Sequence, residues 1–112
     1  MILEQKRGDS FQLPIHYELE QIDETFAPIN ITGYTFRSQV REESSDELVC
    51  ELGIVINSAA QGLATLTAEP AVTSLWPVQR LIADVEAISP AGIKTSSETI
   101  YIDVIADVTR DG

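Results

Sequence analysis

Two long runs of β-forming residues dominate the C-terminal third of this sequence. Residues 78–88 read VQRLIADVEAI and residues 98–109 read ETIYIDVIADVT; the SPAGIKTSS between them carries Pro90, Gly92 and several hydroxyl side chains. Val and Ile sit well on a pleated surface, whereas Gly, Pro and Ser close turns. The stretch predicts an antiparallel ribbon. The rest of the chain must then supply strands that pair with it or pack on it.

A period of two recurs upstream. Residues 1–9 read as a polar lead-in. In residues 10–19, Phe11, Leu13, Ile15, Tyr17 and Leu19 fall on one face, and Gln12, Pro14, His16 and Glu18 on the other. That alternation predicts a half-buried strand. Pro14 has no N–H to give a ladder, so the strand belongs at a sheet edge or beside a bulge. Residues 20–32 read as an acidic loop anchored by Phe26 and Pro28. From Gly33 a second strand sets Tyr34, Phe36, Ser38 and Val40 on one face and Thr35, Arg37, Gln39 and Arg41 on the other.

Residues 42–47, EESSDE, form a charged hairpin tip. A third strand over 48–57 alternates at Leu48, Cys50, Leu52, Ile54 and Ile56, with Gly53 marking a bulge or a close neighbouring backbone. A fourth covers 63–68. Pro70 and Pro77 bracket a single helical turn that crosses between sheets, with Leu75 and Trp76 tucked beneath the edge. Six to seven strands, and no helix longer than a turn, fit an all-β, antiparallel two-sheet sandwich of immunoglobulin-like type over residues 1–112. A small barrel is the rival.

Charge narrows the partners. Seven Lys/Arg against eighteen Asp/Glu give a formal net charge of −11, a field that repels phosphate and anionic lipid. Neither nucleic acid nor a membrane surface is an expected partner. Hydrophobic residues make up 44% of the chain and charged residues 22%, which suits a folded core rather than disorder. The single Cys50 excludes an internal disulfide and, in its apolar run, reads as a small buried hydrophobe. The Met1 end lacks the apolar core of a signal peptide, and folding in a reducing cytosol is expected.

Tests for chemistry return little. A Cys50–His16 pair would need an exposed Cys50. There is no Gly-rich phosphate loop, no strand-to-helix serine elbow and no zinc spacing. If the ribbon turns near residues 92–95, Asp84 and Asp103 lie roughly opposite, with Arg80 or Lys94 to compensate them. Those aspartates are too few for calcium, and nothing marks a glycosidase cleft. No catalytic residue, no metal and no cofactor is expected, and the protein reads as no enzyme. The interaction candidates are Trp76, Tyr34, Tyr101, Arg37 and Arg41. Trp76 reads as a packed plug, with an exposed sugar or protein anchor as the alternative. Arg37 and Arg41 read as cross-strand partners of carboxylates or as a small basic spot.

Three landmarks carry a family resemblance. Arg7-Gly8-Asp9-Ser10-Phe11 opens the first strand, Ile31-Thr32-Gly33-Tyr34-Thr35-Phe36 opens the second with Val40-Arg41 closing it, and Asp107-Val108-Thr109 ends the chain. In order and spacing the chain resembles the small immunoglobulin-like tail and baseplate domains of phages and prophages, such as the N-terminal domain of the phage baseplate upper protein. In that family a tyrosine and an aspartate stand near the start of the penultimate strand, after a glycine. Here the glycine and the tyrosine are missing, and Asp84 stands where the family has an aspartate. The resemblance implies that Arg7-Gly8-Asp9 is a structural turn, not an adhesion motif. It also implies a free-standing structural module of a virion tail, baseplate or neck. Such a module would dock other virion proteins and form a homo-oligomer in the assembled particle. A host-surface glycan- or protein-binding module is the alternative.

Overall fold

The computed structural model describes residues 1–20 and 26–108. Residues 21–25 of the expected acidic loop, and Thr109 with the tail Arg110-Asp111-Gly112, lie outside the described residues, as does the Phe26 side chain. Pro28, the other expected anchor, is exposed.

Among the described residues the chain is all-β apart from one helical turn. In order it forms β1 (Ile2–Lys6), β2 (Phe11–His16), β3 (Glu18–Glu20), β4 (Phe26–Pro28), β5 (Thr35–Glu42), β6 (Leu48–Glu51), β7 (Gly53–Ser58) and β8 (Leu63–Ala68). The turn α1 (Pro70–Thr73), β9 (Arg80–Ile88), β10 (Lys94–Ser96) and β11 (Ile100–Ile105) follow. One sheet runs β1-β11-β9-β5-β6, with β10 also on β9; a second runs β2-β8-β7; β3 and β4 pair with each other. The two larger sheets enclose a common core, the arrangement of a β-sandwich. Phe11, Leu66 and Ala68 come to it from the smaller sheet, and Val40, Leu81, Ala83, Val85, Ile100, Ile102 and Val104 from the larger. Alternation drives this outcome: each strand with one apolar face must bury it against the other sheet.

Several expectations are corrected. The polar lead-in contains a strand: β1 pairs parallel with β11, Ile2 opposite Tyr101 through Lys6 opposite Ile105. The expected third strand is two. β6 belongs to the larger sheet and β7 to the smaller, and the chain changes sheets at Leu52-Gly53. Leu52 is buried and donates its N–H to the Ser38 carbonyl at 2.9 Å. A Cβ on Gly53 would lie 2.7 Å from Thr67 Oγ1, so the close neighbour is a side chain. The ribbon's second arm is likewise broken, into β10 and β11. Its turn spans Ser89 to Ile93, where the Ser89 N–H reaches the Ile93 carbonyl and Gly92 takes φ 83°.

Other expectations hold. Pro14 lies on β2, an edge strand. Phe36, Ser38 and Val40 face inward from β5. The helical turn is a single turn led by Pro70. Its Thr73 is fully buried and donates Oγ1–H to the Asp9 carbonyl at 2.7 Å. That bond fastens the Arg7-Gly8-Asp9 segment, where Gly8 has φ 92° and Arg7 sits 3.8 Å from Asp107. The segment is a structural turn.

Candidate functional site

Two surfaces differ sharply in chemistry. On the outer face of the larger sheet, alternation turns Arg80, Ile82, Asp84 and Glu86 of β9 away from the core. The register aligns them with neighbours on both sides. One row crosses β1, β11, β9, β5 and β6: Ile2 opposite Tyr101, Tyr101 opposite Ile82, Ile82 opposite Arg41, and Arg41 opposite Leu48. Its two ends are open to solvent, Ile2 at 63% and Leu48 at 52% exposure.

Ion pairs frame the row. Arg80 Nε and Nη2 donate to Asp103 Oδ1 and Oδ2 at 2.6 and 3.0 Å, and the same guanidinium lies 5.4 Å over the Tyr101 ring. The hydrogen bonds from Arg80 hold the Asp103 carboxyl below the usual aspartate range. Arg37 Nε donates to Glu51 Oε1 at 2.7 Å and lowers that carboxyl in the same way. Lys94 Nζ stands 3.2 Å from Glu86. Arg41 donates to the Asp46 carbonyl and to Gln39 Oε1, both at 2.9 Å, which ties the row to the β5–β6 turn. Lys6, Arg37, Arg41, Arg80 and Lys94 are five of the chain's seven basic residues, and all lie on this face beside Glu4, Glu51, Asp84, Glu86 and Asp103. The face is locally balanced in a chain of net charge −11. A hollow of about 210 Å³ sits in it, lined by Arg41, Asp46, Ile82, Asp84 and Thr99 among others.

The smaller sheet is the opposite case. Neither β2, β7 nor β8 contains an Asp, Glu, Lys or Arg. Where its edge strand β2 meets the break between β10 and β11, a groove of about 340 Å³ opens between Leu13, Ile15, Tyr17, Val85 and Ile100.

The structure brings three of the five expected interaction residues together. Tyr101, Arg37 and Arg41 share the outer face of the larger sheet. Tyr34 does not join them: it is half-buried and stacks on Phe36, centroids 6.1 Å apart. Trp76 is corrected as an anchor. It is 1% exposed, with its ring 5.6 Å from that of Phe11, so it is the plug. Its neighbour Leu75, expected beneath the edge, is 82% exposed. The indole Nε1–H is buried without an acceptor. Burial pushes the half-buried Cys50 thiol's pKa up.

Asp84 and Asp103 are not opposed. Asp103 faces Arg80, and Asp84 faces Gln39. Arg80 supplies the compensation expected for Asp103, while Lys94 serves Glu86. Among the described residues no group of three or more His, Cys, Asp or Glu is placed to hold a metal ion, and no helix is long and apolar enough to cross a membrane. The charge-free sheet was not singled out from the sequence, although its signal was there: residues 52–68 run without a single charge. No protein-family model matches the chain, and no curated protein matches it.

Proposed function

We propose that this chain is a non-enzymatic docking module of a phage or prophage virion, in its tail, baseplate or neck, built on an immunoglobulin-like sandwich. The strand order supports the fold. Immunoglobulin domains set one sheet in the order B, E, D against another of G, F, C, which C′ extends. Here β2-β8-β7 matches the first and β11-β9-β5-β6 the second. The order of the three landmarks supports the phage reading.

The row Ile2–Tyr101–Ile82–Arg41–Leu48 carries the docking reading. It sets a tyrosine and an arginine on either side of Ile82, with apolar ends and ion pairs around it. Protein interfaces use that pattern: aromatic and Arg anchors inside, polar groups around. A sugar platform is less well served, because Tyr34 and Trp76 do not converge with Tyr101.

The test is localisation with a face variant. Particles released by the encoding strain are purified and labelled with antibody against the domain for electron microscopy. Label on the tail, baseplate or neck, lost in Ile82→Glu, is the expected result. A domain that stays in the soluble lysate and never sediments with particles ends the reading.

A further inference from the structure

We infer that β7 is a self-complementary edge through which two copies of this chain pair antiparallel, joining their charge-free sheets into one of six strands.

The inference starts from the outer strands of the two sheets. An edge strand exposes unpaired N–H and C=O groups, and natural edges are guarded by charge, proline or shortness. Of the strands that end the two larger sheets, β1, β2 and β6 are guarded. β1 carries Glu4 and Lys6, β2 carries Pro14, and β6 has four residues with Glu51 held by Arg37. β7 has neither charge nor proline, reading Gly-Ile-Val-Ile-Asn-Ser; its register with β8 shifts between Ile56 and Ser58, so its regular part is Gly53 to Ile56. Nothing among the described residues pairs with its outer side. Val55 is 50% exposed and Ile56 45%.

The sequence of β7 names the occupant. A twofold antiparallel pair centred on Val55 sets Ile54 against Ile56 and Val55 against Val55, all before the register shift at Asn57. Ile54-Val55-Ile56 reads the same in both directions, so each apolar residue meets another on its own face of the sheet. Isologous contact needs such self-complementarity. Electrostatics point to the same place. Two chains of net charge −11 repel each other, and residues 52–68 form a charge-free approach on which they can meet. A six-residue strand offers an edge of only about 20 Å. The dimer is therefore concentration-dependent and tightens with salt as the repulsion is screened. None of this depends on a virion role.

The test is analytical ultracentrifugation of the whole chain from micromolar to millimolar concentration, with three variants. Wild type shifts from 12.3 kDa toward twice that mass, more readily in high salt. Val55→Lys stays monomeric with an unchanged circular dichroism spectrum, its association weakened by at least about tenfold for opposed like charges in an interface. Lys also reduces the net negative charge, so greater repulsion between chains is not the cause of that loss. In a Cys50→Ser background, Val55→Cys cross-links on mild oxidation, because opposed Cα atoms at about 4.5–5.5 Å suit a disulfide. Asn57→Cys does not, since its two copies lie roughly 13 Å apart along the strands. Wild type that stays monomeric throughout, Val55→Lys that still dimerises, or Asn57→Cys that cross-links as readily as Val55→Cys overturns the inference.

Discussion

Arg80 and Asp103 face each other at one register position of β9 and β11, joined by two parallel hydrogen bonds of 2.6 and 3.0 Å. Fork-to-fork geometry makes this the best-formed ion pair on the outer sheet face. Arg80 also covers Tyr101, so the pair fixes that ring within the cross-strand row.

The pair predicts a pH dependence of known sign. The hydrogen bonds from Arg80 depress the folded-state pKa of Asp103. A depressed carboxylate stabilises the fold above its unfolded pKa, near about 3.9, and that contribution is lost as pH falls through the folded value. Asp103→Asn therefore lowers Tm against wild type at neutral pH, and the two melting curves converge on acidification. Glu51, lowered by Arg37, follows the same rule in Glu51→Gln. Both pairs are on the surface, so the shifts in Tm are small. Carboxyl-carbon NMR titration reads the two depressed values directly.

Trp76 predicts a large effect of another kind. It is fully buried between the sheets, against Phe11. Trp76→Ala costs about 3–5 kcal/mol, the range for truncating a packed aromatic. Trp76→Phe costs much less, because it also removes an indole N–H that has no acceptor. Urea unfolding of the two variants checks the order; equal losses would contradict the packing account.

Gly62 tests the β7–β8 turn. Its φ is 70°, and a Cβ there would lie 2.6 Å from the Tyr17 carbonyl oxygen and 2.7 Å from that of Ile29. Gly62→Ala meets both the left-handed penalty of about 1–2 kcal/mol and two backbone clashes. Gly92 has φ 83° but open space around it, so Gly92→Ala meets only the first. Thermal melts should rank Gly62→Ala clearly below Gly92→Ala.

Period-two alternation made most inward faces legible: Phe11, Phe36, Ser38, Val40, Ala64 and Leu66 all point where the pattern sets them. The register did not follow from the pattern, because register depends on turns and bulges rather than on faces. That is why Asp84 and Asp103 were matched to each other, and why the row from Ile2 to Leu48 was not seen. β1 escaped notice because its five residues pair with a strand nearly a whole chain length away. The sheet switch at Leu52-Gly53 was hidden because alternation continues straight through it. Of the interaction candidates, chemistry alone singled out Tyr101, Arg37 and Arg41, and pairing across β5, β9 and β11 brings them together. Trp76 was legible as a plug from its place between two prolines.

The break between β10 and β11 offers the last test. β10 sets Lys94 opposite Ile88, whereas β11 sets Ile100 opposite Ala83, so the register slips by one residue across Ser97, Glu98 and Thr99. A slip of this kind strands a backbone donor on the partner strand. Ser97 resolves it: its Oγ accepts the Val85 N–H at 2.9 Å and donates to the Glu98 carbonyl at 2.9 Å, while its own N–H reaches the Val85 carbonyl. Val85 is buried. Ser97→Ala leaves that N–H unpaired at a cost of about 1–3 kcal/mol. Ser97→Thr keeps the hydroxyl and retains most of the stability. Hydrogen exchange at the Val85 amide distinguishes a local from a global effect: faster exchange there, with amides away from the break between β10 and β11 slowed as before, is the expected outcome. An unchanged Val85 rate in Ser97→Ala would mean that the bulge does not need its hydroxyl.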